Sequence, residues 1–128
     1  MKWDPFGKSY LEISNKDLNT ALECVAAVRE AVGNEVDLLI EGHGRFNVPT
    51  GIKIAKELEQ FKPMFFEEPT PPDNLEALKA VRDKSPVAIS AGERLYTLKS
   101  YKDLFEMRAA DFIQPDISHA GGIMELKK

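Results

Sequence analysis

Four acidic residues recur at nearly even spacing along the chain, each closing a short apolar run. Glu41 follows Val36-Asp37-Leu38-Leu39-Ile40, Glu67 follows Met64-Phe65-Phe66, Glu93 follows Val87 to Gly92, and Asp116 follows Phe112-Ile113-Gln114-Pro115. The acids lie 26, 26 and 23 residues apart, which is the length that one strand and one crossover helix consume. The pattern points to a parallel α/β architecture with the acids at matching strand ends. The carboxyl ends of such strands form the face that carries active sites, above all in a β/α barrel. Successive carboxylates would then project into one cavity, and crowded carboxylates keep their charge only beside a cation. Oxygen ligands of this kind suit a hard divalent ion, with Mg²⁺ the first candidate.

The 128 residues match one ordinary domain, whereas a closed β/α barrel typically needs about 250. An incomplete barrel is therefore expected. Apolar residues at 43% and charged residues at 30% give a soluble globular balance that excludes neither an enzyme nor a binding protein. A net charge of −4 offers no basic footprint for nucleic acid or an anionic membrane. The longest apolar stretches fall far short of the roughly 20 residues a membrane span requires, and no signal peptide opens the chain. The expected location is cytoplasmic. The single cysteine, Cys24, lies in the helical pattern Leu18, Leu22, Val25, Ala26 and is expected to be an inert buried thiol.

Between the acids the chain reads as helices. Lys2-Trp3-Asp4 looks like the tail of a strand, followed by a Pro/Gly loop. Asp17 to Val32 carries Leu18, Leu22, Val25, Val28 and Val32 on one helical stripe and is stopped by Gly33-Asn34. Thr50 to Phe61 repeats the scheme, with Pro63 as the stop. Met64 to Phe66 is nearly all apolar, as suits a strand buried on both faces. Pro69 to Asn74 forms a stiff loop ending in helix-capping residues, and Leu75 to Arg82 is the next helix. Val87 to Ala91, Leu98 to Met107 and Asp111 to Pro115 read as strand, helix and strand, and Ile123 to Lys128 begins a last helix. A leucine-rich solenoid has a similar period, but its Leu-x-x-Leu-x-Leu spacing is absent. Between an open doubly wound sheet and part of a barrel, the acid at every strand end favours a partial (β/α) TIM-type barrel of about five parallel strands.

Glu41, Glu67 and Glu93, from three consecutive strands, would leave open positions on an octahedral ion for water or a bidentate substrate carboxylate. One such acid alone reads equally as a helix cap or a solvated loop charge; the register of the set argues against that. His43 and His119, the only histidines, each lie on a loop leaving the same face, where neutral imidazole can carry a proton near neutral pH. Arg45 and Arg94 could clamp a substrate carboxylate in a fork geometry, with surface salt bridging as the alternative. Glu68, directly after Glu67, should point to the opposite face or up into the loop, as a support behind the ligands. Lys2 and Asp4 would face the same cavity.

The stretches Lys2-Trp3-Asp4-Pro5-Phe6-Gly7, Glu41-Gly42-His43-Gly44-Arg45-Phe46, Glu67-Glu68-Pro69-Thr70-Pro71-Pro72-Asp73-Asn74, Gly92-Glu93-Arg94-Leu95 and Gln114-Pro115-Asp116-Ile117-Ser118-His119-Ala120-Gly121-Gly122 resemble the enolase superfamily. More narrowly, they resemble its mandelate racemase/muconate lactonizing enzyme family, on the galactonate-dehydratase-like side, over the whole chain. The resemblance implies a Mg²⁺-dependent enzyme that abstracts the proton α to a carboxylate and stabilises the enediolate on the metal. It implies Glu41, Glu67 and Glu93 as metal ligands, His43 as the acid that helps a β-hydroxyl leave, and Asp116 as the aspartate that orients a catalytic histidine on the next strand. Arg45, Arg94, His119 and Asp4 are the candidate substrate-binding residues, and the substrate implied is a small acid sugar or related carboxylate.

Two departures stand out. The family's first metal ligand is usually Asp, and Glu41 adds a methylene; Asp4 stands where racemases of the family often carry a catalytic lysine. Residues 1–128 are expected to be a fragment of the C-terminal (β/α)7β-type barrel domain, with the N-terminal capping domain and the strand bearing the histidine base absent. The parent reaction would be a dehydratase lyase or a racemase or cycloisomerase. The isolated chain is expected to be inactive and to self-associate through open sheet edges. The competing reading is a non-catalytic metal-binding half-barrel, or a subunit needing a complementary fragment.

Overall fold

A computed structural model describes residues 1–128. Strands and helices alternate strictly: β1 (Lys2–Trp3), α1 (Asn15–Val32), β2 (Leu39–Glu41), α2 (Val48–Leu58), β3 (Phe65–Glu67), α3 (Leu75–Arg82), β4 (Ile89–Ala91), α4 (Thr97–Met107), β5 (Phe112–Ile113) and α5 (Ile123–Leu126). The helices begin where side chains satisfy their free amides. The Ser14 hydroxyl accepts from the Asp17 N–H at 3.0 Å and donates to the Asp17 carboxylate at 2.8 Å, so α1 starts at Asn15, two residues before the expected Asp17. Asn47 and Asn74 cap α2 and α3 in the same way, through the amides of Thr50 and Ala77. Pro49 falls in the first turn of α2, where a missing N–H costs nothing. The segment Glu59–Phe61, expected as the end of α2, tightens into a 3-10 turn that Lys62 closes with a left-handed φ of 48°.

The five strands are parallel and pair in chain order, β1-β2-β3-β4-β5, leaving β1 and β5 as open edges. This is the partial barrel expected, with consecutive helices packed side by side along the sheet. The strands are shorter than the apolar runs that announce them: β2 forms only at Leu39–Glu41 and β5 only at Phe112–Ile113. The core lies between sheet and helices, where Ile40, Phe66 and Ile89 from the strands meet Val25, Ile54, Leu58, Val81 and Leu104 from the helices, all essentially without solvent exposure. Phe6 from the first loop closes it at one end, edge-on to Phe46 at 5.3 Å and tilted against Phe66 at 5.8 Å. Arg29 braces the opposite ends of the strands. Its guanidinium donates to the carbonyls of Gly33, Val36, Phe61 and Lys62, tying the end of α1 to the loops before β2 and β3.

Cys24 corrects one expectation. It is exposed, because the buried stripe of α1 runs through Leu18, Ala21 and Val25, and Cys24 lies about 100° around the helix from Val25. No helix is long and apolar enough to cross a membrane.

Candidate metal centre at the strand ends

Register does the first part of the assembly. Glu41 pairs with Glu67 across β2 and β3, and Glu67 pairs with Ser90 across β3 and β4, so Glu41 and Glu67 project from the same face of the sheet. Glu93 lies three residues beyond Ser90, an odd spacing that would send it to the other face if the strand ran on. At Gly92 the backbone turns instead, with φ +125°, a conformation that side chains rarely permit. One carboxylate oxygen from each of Glu41, Glu67 and Glu93 then lies within 4.8 Å of the others. Glu41 and Glu67 are buried and Glu93 is half-buried.

The electrostatics of this cluster ask for a cation. Lys2, from β1, places its ammonium 3.1 Å from Glu41 Oε2 and 2.6 Å from Glu67 Oε2. With Arg94 beside Glu93, two cations against three carboxylates leave one negative charge unmatched. Burial lowers the proton affinity of Lys2, but its hydrogen bonds to Glu67 and Glu41 outweigh that and hold its pKa above the usual lysine value. Burial raises Glu67 above the usual carboxylate range; Lys2 opposes the shift, while the neighbouring charges of Glu41 and Glu93 add to it. The second Glu67 oxygen, Oε2, also accepts from the Gln114 amide at 2.7 Å. Its first oxygen, Oε1, is buried without any hydrogen-bond partner. A buried, unpartnered carboxylate oxygen among two further acids is the donor set of a hard divalent cation, and these residues fit Mg²⁺. Gln114 is the member the sequence reading overlooked; its signal was its place directly after β5, at the same strand end as the acids.

The remaining candidates surround the cluster. His43 Nδ1 sits 2.6 Å from Asp4 Oδ2, and the His43 backbone N–H donates to Glu41 Oε1 at 2.8 Å. Arg45 donates to Asp4 Oδ2 at 2.6 Å and to the carbonyls of Gly7 and Gly42, so its guanidinium orders the β1 and β2 loops against each other. Arg94 reaches the His43 carbonyl at 2.6 Å and lies 3.3 Å from the Glu93 carboxylate. His119 Nδ1 lies 2.7 Å from the Glu93 carbonyl, and its ring packs on Tyr96 with centroids 4.6 Å apart. Asp116 stands outside the carboxylate cluster: its Oδ1 accepts the amides of Ser118 and His119. Those amides, His119 first, hold its carboxyl below the usual range. The fourth acid of the even series thus shapes a turn, because it follows β5 by three residues across Pro115.

Glu68 is as buried as Glu67, and burial pushes its carboxyl up from 4.5 to about 7, with the Gly92 N–H and Arg94 pulling the other way. The folded chain therefore holds this proton more tightly than the unfolded chain does. Stability supplied by the protonated form is present below pH 4.5 and is lost as pH rises toward 7. The loss amounts to roughly 3 kcal/mol between those limits. In buffer with a chelator, urea unfolding at pH 5 and pH 7.5 is expected to show this fall in wild type and a flatter profile in Glu68→Gln. Parallel profiles would contradict it.

A segment of parallel β/α units with three clustered carboxylates at its strand ends places the chain in the β/α-barrel class, with a candidate cation site. The comparison with known proteins narrows this: the family described as enolase C-terminal domain-like matches residues 1–128, and the chain belongs to it. It is 42% identical over 123 residues to a D-gluconate dehydratase of Thermoproteus tenax, covering 96% of this chain and 25% of that protein. Against a D-galactonate dehydratase of Klebsiella pneumoniae it is 35% identical over 115 residues, covering 90% and 30%. Among solved structures it superposes with a TM-score of 0.92 on a mandelate racemase/muconate lactonizing enzyme-like protein from Rubrobacter xylanophilus, at 41% identity, over 98% of this chain and 34% of that one. The chain therefore spans about a quarter to a third of the length of these relatives.

Proposed function

We propose that this chain carries the metal-binding part of an acid-sugar dehydratase, which removes the proton α to a carboxylate and expels the β-hydroxyl. The observation that carries the reading is the triad of Glu41, Glu67 and Glu93 together with the buried, unpartnered Glu67 oxygen. Mg²⁺ bound there supplies positive charge to a substrate carboxylate. The residues of the chain do the rest. Lys2 and Gln114 hold Glu67 in place from its other oxygen. Asp4 engages His43 Nδ1 and leaves Nε2 as the nitrogen free to exchange a proton, on a side chain 48% exposed. In the dehydration, the C2 proton goes to a base, the C3–O bond breaks, and His43 protonates the departing hydroxyl as water. Arg94 and His119 flank the same face as substrate contacts. D-gluconate and D-galactonate, named for the relatives, are the first substrates to offer. The cytoplasm is the proposed setting.

Self-association is part of the same reading. Phe112 and Ile113 on the open β5 edge, with Leu98, Phe105 and Ile117 nearby in sequence, are large apolar side chains exposed to solvent, an arrangement that favours association. The test is Mg²⁺ titration calorimetry on wild type and Glu67→Gln, with the oligomeric state measured in the same buffer. Saturable binding by wild type, lost in the variant, is the expected result. An absence of saturable heat in wild type overturns the proposal. Binding without turnover of either acid sugar would favour a metal-binding half-barrel that needs a complementary fragment, and a monodisperse monomer would refute the association.

A further inference from the structure

We infer that Glu68 is a positioning residue that locks the three strand ends of the carboxylate centre together, and in particular sets Glu93; this rests on the metal-site reading above. Three bonds converge on this one residue. Its backbone N–H donates to the Ser90 carbonyl on β4 at 2.9 Å, and its carbonyl accepts the Gly44 N–H from the loop after β2 at 2.6 Å. Its side-chain Oε1 accepts the Gly92 N–H at 2.8 Å. Glu68 itself directly follows Glu67 at the end of β3. One residue therefore links the ends of β2, β3 and β4, at which Glu41, Glu67 and Glu93 lie.

The geometry of Glu68 is costly enough to need a reason. Its φ of 45° is left-handed for a residue with a side chain, and the residue, an ionisable one, is only 2% exposed. The return on that arrangement falls on Gly92. The Gly92 peptide is held at its N–H by Glu68 and at its carbonyl by the Tyr101 hydroxyl, at 2.7 Å. The neighbouring Glu93 carbonyl lies 2.7 Å from His119. Gly92 is the residue where the backbone departs from strand geometry and redirects Glu93 toward Glu41 and Glu67. Ladder bonds alone do not impose that turn: β4 ends at Ala91, and a glycine has the widest conformational range of any residue. The buried acceptor on Glu68 selects one conformation of it.

The experiment separates this role from the metal-site reading. Amide hydrogen exchange at Gly92 and Glu93 is followed by NMR in chelator-treated wild type, Glu68→Gln, Glu68→Ala and Glu68→Asp, and Mg²⁺ affinity is measured by calorimetry on the same samples. Gln keeps an oxygen at the same reach; Ala removes it, and Asp keeps the charge but withdraws it by one methylene. Gly92 protection is expected to persist in Glu68→Gln and to be lost in Glu68→Ala and Glu68→Asp. Mg²⁺ affinity should fall about 10- to 100-fold in the latter two, the range for removing a residue that orients a ligand, and recover to within a few-fold of wild type in Glu68→Gln. If Glu68→Ala fails to fold, Glu68→Asp decides the matter. Unchanged Gly92 exchange in Glu68→Asp overturns the inference, as does an affinity loss in Glu68→Gln equal to that in Glu68→Asp. If wild type binds no Mg²⁺, the metal-site reading fails by itself and Gly92 exchange still decides whether Glu68 holds the turn.

Discussion

Phe66→Ala is expected to lose roughly 3–5 kcal/mol of folding stability, the cost typical of deleting a buried aromatic ring. Phe66 is fully buried in the middle strand, in register with Ile40 on one side and Ile89 on the other, and it packs against Phe6. The cavity would open directly beneath the backbone that carries Glu67 and Glu68. Domains of this size are commonly stable by only about 5–15 kcal/mol, so the loss would consume a large share. Urea unfolding followed by circular dichroism measures it. Phe105→Ala, on α4 where the residue is 55% exposed, is the control and should change stability by less than about 1 kcal/mol. Equal losses in the two variants would mean that the core is not centred on β3.

Gly42→Ala is expected to damage both the fold and the metal centre. A Cβ at Gly42 would lie 2.8 Å from the Glu68 carbonyl oxygen, 3.0 Å from the Phe66 ring and 3.1 Å from the Glu67 carbonyl oxygen. Two of those three atoms are backbone, so no rotamer change relieves the contact; β2 and β3 must separate where Gly42 N–H now donates to the Glu67 carbonyl at 2.8 Å. Overpacking of this kind costs about 1–3 kcal/mol. Because Gly42 sits between Glu41 and His43, the displacement also moves a carboxylate of the proposed metal site, and Mg²⁺ affinity should drop by at least about tenfold. Calorimetry and urea unfolding on the same preparation test both effects. A variant with wild-type affinity and stability would show that the strand ends have slack at this point.

Much of the architecture follows from local signals that have local causes. α3 occupies the residues read from the sequence, because Asn74 caps it and its buried positions Leu78 and Val81 repeat at helical spacing. α1 and α2 each begin two residues before the expected Asp17 and Thr50, since a cap lies outside the stripe it starts. Strand lengths were less legible. Pairing, and not apolarity, sets where a strand begins, and Val36, Asp37 and Leu38 precede the point at which β2 meets β1.

The candidate site divides in the same way. Even spacing of Glu41 and Glu67 brings them level because the same βα period separates both the acids and the paired strands. Arg45 was read as a possible substrate clamp; its donors go to Asp4, Gly7 and Gly42, partners whose proximity exists only once β1 lies beside β2. Gln114 gains its part from the facing Glu67, 47 residues away.

What the sequence by itself determined is the alternation of strands and helices and the spacing of the acids, since apolar periodicity, caps and spacing are properties of neighbours along the chain; the family was legible in the motifs that resemble it. Only the tertiary structure decided that Asp116 turns to its own loop, that Cys24 faces solvent, and that Glu93 joins Glu41 and Glu67 despite its odd register. Each of these depends on one backbone turn or one angular step around a helix. A single change of φ at Gly92 moves a carboxylate across the sheet, and besides the local Leu95 N–H its hydrogen-bond partners, Glu68 and Tyr101, come from other elements.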